Sequence, residues 1–263
     1  MVKEMHYAGS FYPLGNLEEM LESFFSNLDL TEEKDLRGLI IPHASYLYSG
    51  ITAAKAYSLL LGLEKFPKNI FILAPSHNYS IKKPCVGDFK SYETPFGFLN
   101  SNLNIVSDLV KKGLCEYNNE AIRIEHSLEV HLPFLAYIYF RRFNLDVNII
   151  PIVLNAPSYE LAEELKRYVN DNSLFIISSD LSHHLSQEDA SKVDNSTINT
   201  ILKRDAKKID TIDACGSAGI ATFNKIAKDM NLNPKLLQYT TSADVYKDYE
   251  QVVGYASIAY LDR

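Results

Sequence analysis

The stretch LIIPHASYLYSG, residues 39–50, decides how the fold is read. Three apolar residues run straight, Pro42 turns the chain, and His43 stands where a buried strand should end. Two later stretches repeat the pattern: FILAPSH at 71–77 ends on His77, and LFIISSDLSHH at 174–184 carries Asp180, His183 and His184 beyond its apolar run. Short, continuous runs of Ile, Leu and Phe are the mark of strands covered on both faces. Ligands collect at the carboxyl ends of such strands, where loops are free of the packing between helix and sheet. Three strand ends releasing imidazole or carboxylate groups therefore predict one rim that carries a site.

Working outward from these strands, the chain alternates strand and helix along its whole length. NLEEMLESFFSNL at 16–28 predicts a helix with Asn16 as N-cap and Glu19 at the capping-box position. A strand at about 37–42, a helix at 49–63 and a strand at 68–74 follow, then a hairpin-like region at 86–99 broken by Thr94-Pro95 and Gly97. Helices are expected at 103–113, 132–143 and 158–171, with buried strands at 146–154 and 174–179 between and after them. Two or three helices fall between about 187 and 230, and alternating segments at 236–246 and 251–261 pair as closing strands. The expected class is α/β, a central mixed sheet covered by helices on both faces. With no linker-like tract or internal repeat, residues 1–263 read as a single domain.

Composition narrows the function classes. A chain of 263 residues with 46% hydrophobic residues and 22% charged can bury a large core without disulfides. Its net charge of −7 excludes the electrostatic footprint of a nucleic-acid binder. The longest apolar block, LPFLAYIYF at 132–140, is about half the roughly 18–20 residues that a bilayer requires, so no membrane span is expected. The opening residues show no basic region followed by an apolar stretch of the kind a signal peptide has, so a cytoplasmic location is expected. Cys85, Cys115 and Cys215 form no CxxC and read as free thiols.

Imidazole, thiolate and carboxylate are the usual ligands of first-row metals. Two histidines with a carboxylate would match a non-haem iron(II) site, and two histidines with a thiolate would suit iron, copper or zinc. IEHSLEVHLPF at 124–134 adds His126, Glu129 and His131, at a spacing that is not the zincin HExxH. On a helix His126 and Glu129 share a face, which makes Glu129 a candidate general base and His126 an acid or a substrate-orienting donor. Cys215, in DACGSAGI, stands where a helix should begin, and Gly216 and Gly219 permit close approach. Cys85 and Cys115 receive no role. No GxGxxG, P-loop or GxSxG motif occurs.

Six segments together resemble the Memo family: HYAGSFYP at 6–13, IPHASYLYSG at 41–50, LAPSHN at 73–78, EHSLEVHLPFL at 125–135, SSDLSHH at 178–184 and CGSAGI at 215–220. The resemblance implies a fold similar to class III (LigB-like) extradiol dioxygenases. It implies a metal site from His43, His77 and Cys215, with Asp180, His183, His126 and Glu129 facing the same pocket in catalytic roles. It also implies iron(II) as the metal, with copper or zinc as alternatives, and a radical-SAM protein as a companion in microbes. Two departures stand out. Ser45 replaces the glycine of the family's PHAGY, so a loop needing positive φ would be strained by roughly 1 kcal/mol. His184 replaces an aromatic residue.

A fold does not hand over a reaction. The leading expectation is a metal-dependent oxidoreductase of unknown substrate, in which His183, His126 and Glu129 move protons. A zinc-dependent hydrolase with Glu129 as base uses the same ligands. A non-catalytic module would instead hold a peptide, a phosphopeptide or another anionic ligand, small molecule or peptide, in the same pocket. In the plainest alternative, Asp180, His183 and His126 form a buried hydrogen-bonded network without chemistry.

Overall fold

The structure is a computed structural model that describes residues 1–26, 28 and 35–262. Four strands form its parallel centre: β1 (Leu36–Ile41), β2 (Asn69–Ala74), β3 (Asn148–Val153) and β4 (Ser173–Ser178). They lie in the order β3-β2-β4-β1, and β5 (Val252–Leu261) pairs antiparallel with the outer side of β1. With further strands at both edges, the mixed sheet numbers twelve strands among the described residues.

Side chains alternate across these strands into two apolar layers. Leu39, Ile41, Ile70, Ile72, Leu174 and Ile176 join one cluster, with helices Leu17–Ser26, Tyr46–Leu61 and His131–Ala136. Ile40, Phe71, Leu73, Ile150, Phe175 and Ile177 join the other, under helices Leu103–Lys111, Tyr159–Leu165 and Ser217–Asp229. Strands buried on both faces need no polar alternation, which is why their sequences read as continuous apolar runs. The α/β class and the helices on both faces are as the sequence predicts.

Boundaries differ in instructive places. The first helix begins at Leu17 with the Met20 amide donating to the Asn16 carbonyl, and the expected last turn at Asn27 lies outside the described residues. The helix expected over 132–143 is α-helical for His131–Ala136 and widens into a π-helix over Tyr137–Arg142. Pro133 fits because it occupies the first turn, where its missing N–H breaks no bond. The hairpin pairs Ser91–Thr94 with Gly97–Ser101. The penultimate strand is Asn233–Thr241, and Ala243–Tyr246, expected to extend it, is a helical turn. Among the described residues no helix is long and apolar enough to cross a membrane.

Register fixes where the rim lies. Ile41 pairs with Ser178, and Leu73 pairs with Ile177, so β1, β2 and β4 end at one level. His43 and Asp180 each stand two residues beyond that paired level, and His77 stands three beyond Ala74.

Candidate metal centre

At this rim His43, His77 and Cys215 come together, with their ligand atoms all within 4.8 Å of one another. Metal–ligand bonds of roughly 2.0–2.3 Å place neighbouring ligand atoms about 3–4 Å apart, so the set fits one ion with little movement. Cys215 Sγ is 3.2 Å from His43 Nε2 and accepts the Asp180 amide at 3.1 Å. Burial and the neighbouring Asp180 push the Cys215 thiol well above its ordinary value, so without a metal it carries its proton. A coordinating metal displaces that proton.

Gly216 makes this approach possible. A Cβ there would stand 2.2 Å from the Ser178 carbonyl oxygen and 2.6 Å from Ser179 Cβ, both fixed parts of the β4 exit. The helix Ser217–Asp229 therefore starts hard against that exit, and Cys215, two residues before it, is delivered to the rim.

The imidazoles are oriented by hydrogen bonds that fix their tautomers. Ser178 Oγ donates its single proton to the Ser127 carbonyl at 2.6 Å, so it accepts from His43 Nδ1 at 2.7 Å and from His131 Nε2 at 2.8 Å. His43 is thus assigned an Nδ1–H, which leaves its Nε2 lone pair facing Cys215. His131 in turn accepts from the Tyr57 hydroxyl at 3.0 Å, and burial pushes its pKa down to about 3. His77 is held by Glu125, which accepts its Nδ1–H at 2.8 Å and its backbone N–H at 2.6 Å. Burial raises the Glu125 pKa, but these bonds outweigh it and keep the carboxylate ionised. A carboxylate behind an imidazole frees Nε2 and makes it a better ligand.

Asp180 is buried behind His43, accepting the His43 amide at 2.7 Å, with its second oxygen 4.0 Å from His43 Nε2. Burial raises its pKa to about 7, partly opposed by the His43 and Ala44 amides, so its carboxyl exchanges a proton near neutral pH. His126 packs against His77 and His43 at ring-centroid distances of 4.6 and 5.5 Å, and burial pushes its pKa down to about 4. His183 is exposed, and partial burial of its ring lowers its pKa. Asp180, His126, His183 and His184 line a single cavity of about 550 Å³ beside the ligand cluster.

Glu129 has other partners. Its oxygens accept from Lys3 Nζ at 2.6 Å, the His6 and Tyr7 amides, and the Tyr12 hydroxyl. Saturated by four donors and 1% exposed, it ties the N-terminal segment down and has no lone pair poised to take a substrate proton. That segment brings Phe11 and Tyr7 onto the His126 ring at 4.7 and 5.7 Å.

The strain expected at Ser45 is absent. Its φ is −59°, an extended conformation open to any residue, and it simply precedes the helix Tyr46–Leu61. His184 adopts the left-handed φ of 58° at the cavity mouth. Cys85 and Cys115 are buried thiols in the packed layers, both pushed up to about 12 by burial.

Glu125 and Ser178 escaped the sequence reading, which named His131 but gave it no role. A serine closing the otherwise apolar strand LFIIS was a usable signal for Ser178. Nothing local distinguishes Glu125 from Glu129.

A profile of the family described as Memo-like protein matches residues 3–259. A MEMO1 family protein of Methanococcoides burtonii is 34% identical over 267 residues, covering 95% of this chain and 97% of its own. One of Archaeoglobus fulgidus is 34% identical over 267 residues, with 96% and 97% covered. One of Desulfurococcus amylolyticus is 33% identical over 279 residues, with 96% of each chain covered.

Proposed function

This chain belongs to the Memo family, and from that premise we propose that it is a metal-dependent oxidoreductase whose single ion is held by His43, His77 and Cys215. Iron(II) is the first choice of metal and copper the second. The observation that carries this reading is the convergence of two imidazoles with oriented Nε2 lone pairs and one thiol within 4.8 Å. Structural histidines have no need of lone pairs turned toward a common point. When bound, such an ion supplies Lewis-acid and one-electron chemistry.

The chain's own residues do the rest. Ser178 and Glu125 hold the imidazoles in register. Asp180, buried beside His43 and lining the cavity, is the carboxylate placed to take a proton from a substrate atom there. His183, at the exposed side, passes that proton to water. His126, kept neutral by burial and covered by Phe11, orients the substrate and excludes water from the ligand cluster. Glu129 is left out of the proton path, because its oxygens already serve four donors.

Elemental analysis of protein purified anaerobically without an affinity tag tests the reading. Near-stoichiometric iron or copper that disappears in a His43→Ala, Cys215→Ala double variant is the expected result. Zinc in its place favours hydrolysis, with Asp180 as the base. A wild-type protein that arrives without metal and refuses added metal overturns the proposal and leaves a ligand-binding role for the cavity.

A further inference from the structure

The cavity beside the ligand cluster has a one-sided chemistry. Phe11, Tyr48, Tyr246 and Tyr255 give it aromatic walls, and Asp180 and Asp248 give it carboxylates. The chain has 26 lysines and arginines, yet none among the described residues lines this space. Tyr48 and Tyr246 stand 5.3 Å apart between ring centroids, tilted by 30°, and form a two-ring wall at the mouth. Asp248 accepts the Glu250 amide at 3.0 Å and makes no salt bridge with lysine or arginine among the described residues.

An aromatic face carries the negative part of the ring quadrupole and attracts a cation laid against it. A carboxylate beside such faces strengthens the attraction, and both repel an anion. Recognition of a phosphate or carboxylate would call for arginine, lysine or a cluster of amide donors in the lining.

We propose that this cavity takes a substrate bearing an organic cation, an ammonium or guanidinium group, seated against the tyrosine rings and Asp248. The inference rests on the reading of the cavity as the substrate site of the proposed metal centre. It excludes phosphopeptides and other anions as preferred ligands.

The test is a ligand-observed NMR titration of choline against its neutral isostere 3,3-dimethylbutan-1-ol, with methylguanidine as a second cation and phenyl phosphate as the anionic competitor. Choline is expected to bind at least roughly fivefold tighter than the isostere, with its methyl protons shifted upfield by the rings. Tyr246→Ala should remove that shift, and Asp248→Asn should weaken choline by roughly fivefold. Both residues are exposed, so thermal melts should match the wild type. Equal binding of the isostere, displacement of choline by phenyl phosphate, or failure of both choline and methylguanidine to bind at millimolar concentration overturns the inference.

The same titration on the His43→Ala, Cys215→Ala variant separates the two ideas, since neither substitution touches the tyrosine wall or Asp248. Cation preference retained there, in a protein that never held metal, sustains this inference while the metal reading falls. Metal bound without cation preference does the reverse.

Discussion

The candidate metal-binding rim and the N-terminal segment that covers it are each secured by a buried carboxylate from the same turn of chain, Glu125 for the rim and Glu129 for the segment. The rim is assembled from the ends of three paired strands, whose register sets its level before any side chain is placed. Glu125 then fixes His77 by its ring and its amide, accepts the Ser127 amide, and lies 3.4 Å from His126 Nδ1. The segment has no such frame. Residues 3–12 lie over the site because Glu129 gathers an ammonium, two amides and a hydroxyl from them. One carboxylate tunes a structure that already stands, and the other holds a structure in place.

Substitutions at the two glutamates should therefore break different things. Glu129→Ala strands the Lys3 ammonium, 1% exposed, without its partner, and should cost about 5 kcal/mol of stability in urea denaturation. Metal affinity in the fraction that remains folded should change little. A Glu129→Ala protein of wild-type stability would show that other contacts hold the N-terminal segment in place.

Next in size is an acid effect centred on His131. Its pKa is pushed down from 6.5 to about 3 by burial, so the unfolded chain takes up a proton that the native state refuses. The stability contributed by this group is complete above pH 6.5 and is lost as the pH falls toward 3. The loss is on the order of 4 kcal/mol across that window. Urea midpoints measured at several pH values should fall less steeply in His131→Asn than in wild type; parallel curves would place the titration elsewhere.

Ser178→Ala leaves the His43 and His131 N–H groups without their shared acceptor inside the core. A loss of about 2–3 kcal/mol is expected from thermal or chemical melts. It should also release the His43 tautomer, visible as a change in the imidazole nitrogen shifts. Unaltered shifts would show that another group fixes the ring.

The smallest effect falls at Glu125. Glu125→Gln keeps an acceptor for His77 Nδ1–H but removes the charge, and should weaken metal binding by roughly 10–100-fold with little change in stability. Competition against a coloured chelator measures it directly. A large stability loss with unchanged metal affinity would make Glu125 the structural clamp and reverse the comparison.

Much of the rim was legible before the fold was known. The apolar runs ending at Pro42-His43, Pro75-Ser76-His77 and Asp180 encode strands by local composition, and parallel strands in one sheet must end near one another. Cys215 was legible as a cysteine near a helix start, but its partners lie on three other segments and only the resemblance selected it. Glu125 and Glu129 could not be told apart. Both sit in EHSLE, and which one meets His77 depends on how that short helix rolls against the sheet and where the N-terminal segment returns. The strain expected at Ser45 was a local rule applied without knowing the local φ, and the chain leaves Pro42 in a conformation that needs no glycine.

The sequence by itself determined the α/β class, the buried strands and the kinds of ligand at their ends, because hydrophobic period and turn residues are properties of neighbours along the chain. Only the tertiary structure decided which nitrogen of His43 is free, which glutamate serves the site, and that the cavity holds tyrosines and aspartates without a lysine or arginine among the described residues. Those outcomes depend on contacts between residues far apart in sequence, and sheet register and helix packing set them with no trace in any local pattern.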